Sequence, residues 1–142
     1  MSAIDAHKSD IVPGFVTGAL SSSTTYYFPV NSGGALVESV QLIWDAAIVI
    51  TAAQIEDTNT VIPSMTAAGV AGEWIPENPT SGAYVATEGA GVTVTNATVA
   101  VAGGALGGAI WHLGNIGSRR CRLRLDIGGT GGRVQVFVHA KE

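Results

Sequence analysis

All five arginines of the chain, Arg119, Arg120, Arg122, Arg124 and Arg133, lie in the C-terminal segment SRRCRLRLDIGGTGGRVQVFVHAKE. Clustered guanidinium groups receive anions, because each presents a planar fork of donors that fits a carboxylate or a phosphate. Glycines sit among these arginines at Gly128, Gly129, Gly131 and Gly132, which raises the question of a phosphate-binding loop. Such a loop works by opening a helix whose first amides point at the anion, and it carries a Lys followed by Ser or Thr. Here GGTGG is followed by RVQVFVH, an alternating strand pattern without lysine, so the glycines are assigned to a turn.

Other chemistry finds less support. His7, His112 and His139 are isolated, without metal-ligand spacing, and His112 in IWHLG reads as a hydrogen-bonded structural residue. No G-x-S-x-G elbow is present, and the single cysteine, Cys121, falls on the apolar face of its segment, where it should behave as an inert small hydrophobe. Glu73, Glu77 and Glu88 flank Trp74, and a glycosidase-like carboxylate pair stays open there, but their spacing does not favour it. Asn96-Ala97-Thr98 fits a glycosylation sequon, with no export signal to support it. The sequence therefore assigns no catalytic residue, no metal ligand and no cofactor, and the expectation is a non-enzymatic protein.

Charge narrows the partners. Charged residues make up 13% of the chain, against about 25% in a typical soluble domain, and 19 glycines stand where about ten are expected. A surface so poor in charge, made of Gly, Ala, Ser and Thr, suits burial against other subunits. The net charge of −4 is unevenly divided: residues 1–118 hold nine acids and one base, while residues 119–142 hold six bases and two acids. The basic end can meet an acidic partner or the acids of its own domain. An overall acidic chain argues against nucleic acid as the partner. The apolar run ATVAVAGGALGGAIW is fifteen residues long and broken by four glycines, short of the roughly twenty needed for a membrane helix.

The elements that would position these groups are strands. In LVESVQLIW, Val40, Leu42 and Trp44 alternate with polar residues, and Ile43 breaks the alternation. After a reversal or bulge near Asp45 to Ala47, β-branched Ile48, Val49, Ile50 and Thr51 favour a second strand over a helix. Residues 56–85, rich in Pro, Asn, Gly and Thr, read as a long irregular loop that Trp74 and Ile75 anchor to the core. GVTVTNATVAVAGG supplies one or two strands. At the C-terminus, CRLRLDI and RVQVFVH each place apolar residues on one face. Matching those faces predicts a C-terminal β-hairpin in which Ile127 pairs with Val134, Leu125 with Val136 and Leu123 with Val138. In that register Arg124 lies opposite Phe137 and Arg122 opposite His139, a cation–π arrangement on an exposed sheet face. The expected fold is all-β, a β-sandwich or jelly-roll-like antiparallel domain over residues 21–142, preceded by a flexible N-terminal arm at residues 1–20.

The small-residue strands of VAVAGGALGGA, the loop EWIPENP and the short glycine-turn C-terminal hairpin together resemble, in style over residues 36–142, the small all-β virion structural proteins of tailed bacteriophages, such as capsid decoration or cement proteins. That resemblance implies a virion location, a homo-oligomer with a trimer favoured, and contacts with a major capsid protein or another virion component, including a tail or fibre part. Such proteins act through surfaces, so the candidate partner contacts are Arg119, Arg120, Arg122, Arg124, Phe137 and Trp74. The alternative class is a lectin-like module. There Trp44, Trp74 and Trp111 with Tyr26, Tyr27 and Tyr84 would stack on sugar rings, although core packing accounts equally well for Trp44 and Trp111.

Overall fold

The computed structural model describes residues 8–11, 19–31, 36–60, 64–77, 84–113 and 120–141. Among them are eleven strands: β1 (Lys8–Ile11), β2 (Thr25–Asn31), β3 (Leu36–Trp44), β4 (Ile50–Thr58), β5 (Ile75–Pro76), β6 (Tyr84–Glu88), β7 (Val92–Thr95), β8 (Thr98–Val101), β9 (Gly107–His112), β10 (Arg120–Ile127) and β11 (Val134–Lys141). They form two antiparallel sheets packed as a sandwich. One runs β1-β11-β3-β9-β6, the other β2-β10-β4-β8-β7, with β5 paired to β4 beyond β8.

Alternation decides what each strand buries. In β3, Val40, Leu42 and Trp44 turn inward and are almost wholly buried, while Gln41 and Ile43 face out. Val136 and Trp111 join them from the same sheet, and Ile55, Val99, Leu123 and Leu125 meet them from the other. Each such side chain contributes roughly 1.5–3 kcal/mol by leaving water. Within the stretch expected as an arm, Lys8–Ile11 pairs with β11, and Leu20 is buried and bridges to Gly132.

The expected C-terminal hairpin is not formed. β10 lies between β2 and β4 in one sheet, and β11 lies between β1 and β3 in the other, so their apolar faces meet across the core instead of side by side. GGTGG is thus a crossover between sheets. None of its glycines has a positive φ, contrary to the hairpin-turn reading. The need at Gly132 is proximity: a Cβ there would stand 2.6 Å from Asp45 Oδ1 and 2.8 Å from Ile48 Cβ. Those atoms belong to the other crossover, from β3 to β4, which Asp45 shapes by accepting bonds from the amides of Ala47, Ile48 and, across the gap, Arg133. The two crossovers are tied further by Val49 N to Thr130 O at 2.9 Å and Gly128 N to Val49 O at 2.8 Å.

A tight hairpin does occur between β7 and β8. Asn96 and Ala97 have φ of 49° and 60°, the geometry of a type I′ turn, and Val92 and Val94 pair with Val101 and Val99. Trp111 pins this turn from the core by donating its Nε1–H to Ala97 O at 2.7 Å.

Candidate functional site

The arginine strand β10 displays Arg122, Arg124 and Asp126 on the outer face of its sheet, beside Glu56 and Gln54 of β4 and Tyr27 of β2. Arg122 is nonetheless 1% exposed. Residues 64–74 fold over it, and the guanidinium becomes the centre of a closed cluster. Its Nε donates to Glu56 Oε1 at 3.0 Å. Its Nη1 donates to Ser64 O at 2.8 Å and Ala67 O at 2.6 Å, and its Nη2 to Ala68 O at 3.4 Å. The plane is held between two aromatic rings, Tyr27 at 4.1 Å and Trp74 at 4.0 Å from the ring centroids. Trp74 in turn donates its Nε1–H to Ser64 O at 3.0 Å. An Arg so placed satisfies loop carbonyls that have no ladder partner, and a desolvated cation–π contact adds about 2 kcal/mol.

Two expected contact residues, Arg122 and Trp74, are therefore corrected: they hold the chain's own loop and are closed to a partner. Trp74 anchors the loop as expected, but onto Arg122 on the outer face. Ile75, expected beside it on the core, is 57% exposed in the two-residue β5, both of whose side chains face solvent. Arg124 is half-exposed and bridges Asp126 at 3.2 Å and Glu56 at 3.7 Å. Burial lowers its pKa, but the hydrogen bond it donates to Asp126 and the charges of Asp126, Tyr27 and Glu56 outweigh that and hold it above its ordinary value. Arg120 is half-buried at the start of the strand, in register with Thr58. Arg119 lies outside the described residues.

Phe137 is separated from all of these. It is half-buried on the outer face of the five-stranded sheet, next to Gln41, on the far side of the sandwich from Arg124. The expected pairings of Arg124 with Phe137 and of Arg122 with His139 fail with the hairpin. His139 instead approaches Glu38, at 3.6 Å from Nδ1 to Oε2.

Cys121 is buried on the inner side, as its alternation implies. Burial, helped by the charge of Glu77, pushes its thiol up to about 12 from 9.0. The folded chain should thus resist a thiol reagent such as Ellman's at pH 8 and react fully in denaturant. The folded-state value lies above the unfolded one, so protonated Cys121 contributes stability that is fully present below pH 9 and lost as pH rises toward about 12. Urea midpoints measured from pH 8 to pH 11 should fall more steeply for the native chain than for Cys121→Ala; equal slopes would refute this.

Among the described residues no group of three or more His, Cys, Asp or Glu is arranged to hold a metal ion, and no helix is long and apolar enough to cross a membrane. The outer face of the five-stranded sheet is the second candidate surface. Its residues Gln41, Ile43, Ala86, Glu88, Leu106 and Gly108 line an open groove of about 640 Å³. Comparison of the chain with protein-family models, with curated proteins and with solved structures returns no match.

Proposed function

We propose that the chain is a non-enzymatic virion structural protein that decorates and stabilises a capsid shell as a homo-oligomer. The observation that carries this reading is the strand order. With β5, β6 and β7 set aside as an insertion, the remaining eight strands lie as β1-β11-β3-β9 and β2-β10-β4-β8. We read that order as a jelly roll, the double Greek-key sandwich used by viral capsid domains and also by lectins. Between those two uses the tryptophans favour the first. Trp44, Trp74 and Trp111 are 1%, 7% and 0% exposed, so no indole face is open to a sugar ring.

The reading is tested by producing the chain together with the major head protein encoded in the same genome and sedimenting the assembled shells. The chain should travel with the shells in a fixed ratio and raise their melting temperature. A chain that stays in the supernatant, with shells equally stable without it, overturns the reading.

A further inference from the structure

We propose that the outer face of the five-stranded sheet is a self-association surface on which a second copy of this chain seats through a two-fold contact. The proposal rests on the homo-oligomer in the reading above but not on its virion setting. The two outer faces of the sandwich differ. The six-stranded sheet has its arginine face closed by residues 64–74, drawn down by Arg122. Over the five-stranded sheet no such cover lies among the described residues, and its outward side chains run in rows across the strands. One row is Phe137, Gln41, Ile110, Ala86, and the next is Gln135, Ile43, Gly108, Glu88.

Charge selects the occupant. These two rows hold one charge, Glu88, at the outer edge, and the third outward row, His139, Ser39, His112, adds His139 beside Glu38, so an acidic or basic partner finds little to pair with. A second copy brings an equally neutral face and suffers little repulsion despite the net charge of −4. Shape agrees, because the face carries both a projection and a recess. Leu106 is 71% exposed and Ile43 37% exposed beside the groove, while Gly108 leaves one position of the sheet at backbone level. A two-fold axis lying in the plane of the face sets the projection of each copy against the face of the other, the self-complementary arrangement that an isologous contact requires. Size sets the strength. Five strands about 4.8 Å apart and about 20 Å long give roughly 480 Å² per copy, near the ~1,000 Å² total at which specific interfaces begin. The pair should form with a Kd on the order of micromolar.

The test is sedimentation velocity of the purified full chain from about 1 to about 100 µM. A concentration-dependent dimer is expected, weakened about tenfold or more by Leu106→Asp and by Ile43→Lys. Both positions are exposed, so thermal melts should show these variants still folded; if either unfolds, Leu106→Ser serves in its place. Val70→Asp, an equally exposed apolar position on the loop over the opposite sheet, should leave the dimer unchanged. A native chain monomeric throughout the range, or a dimer indifferent to Leu106→Asp and Ile43→Lys, overturns the proposal. Shell binding is scored separately: a monomer that decorates shells removes this face and leaves the decoration reading, and a dimer that ignores shells does the reverse.

Discussion

Arg122→Ala is expected to destabilise the fold by about 3–5 kcal/mol, the usual loss when one partner of a buried charge pair is removed. The substitution leaves Glu56, 4% exposed, with only the longer contact to Arg124 and the amide of Gln54, and it strips the carbonyls of Ala67 and Ala68 of their donor while Ser64 O keeps Trp74 alone. It also empties the space between Tyr27 and Trp74. Equilibrium urea unfolding measures the change. Adding Glu56→Gln should recover part of the loss, because a neutral amide is cheaper to bury than a lone carboxylate. Arg122→Lys should rescue poorly, since an ammonium can neither stack between two rings nor span the three carbonyls. Limited proteolysis should cut within residues 64–74 of Arg122→Ala faster than within the native chain. A loss below 1 kcal/mol would show that the loop holds without its arginine.

Trp111→Ala is expected to cost about 3–5 kcal/mol, comparable to the first loss. Trp111 is 0% exposed near the end of β9, and its Nε1–H caps the β7–β8 turn at Ala97 O. Removal leaves both a cavity and an unsatisfied carbonyl. The two buried tryptophans should part company on mutation to phenylalanine. Trp111→Phe loses that bond, whereas the Nε1 of Trp44 has no acceptor among the described residues, so Trp44→Phe relieves an unpaid donor and should cost less. Thermal melts of the two variants give the comparison, and an equal or larger loss for Trp44→Phe would refute it.

Strands and their inward faces were legible because burial on one side imposes a period of two. Val40, Leu42 and Trp44 follow it, and so do Leu123, Leu125, Val134 and Val136. Partnership was not legible by the same rule. Alternation states which way a side chain points, and two strands with matched apolar faces satisfy it equally as neighbours in one sheet or as opposites across a sandwich. The glycines of GGTGG reinforced the wrong choice, since a hairpin turn and a close crossing of two chain segments both call for them. Arg122 shows a different limit. Its position on the outward face was read correctly, yet exposure depends on residues 64–74, far away in sequence. The one available signal was Glu56, which alternation in β4 places on the same outward side. The face with Ile43, Ile110 and Phe137 is not legible in the sequence, because its residues come from three separate strands.

The separation of β10 from β11 bears on how the chain reaches its fold. Each is a central strand that fills the gap between two much earlier ones: β10 between β2 and β4, β11 between β1 and β3. On a ribosome these two emerge after the nine strands described before them, so neither sheet can close until both have been made. Until then β2, β3 and β4 present open edges to solvent, and the long loops that must close make folding slow. The low charge that suits the finished surface offers little protection at that stage. Chaperone dependence during translation, and sharply better recovery at low expression temperature, follow from strand order alone.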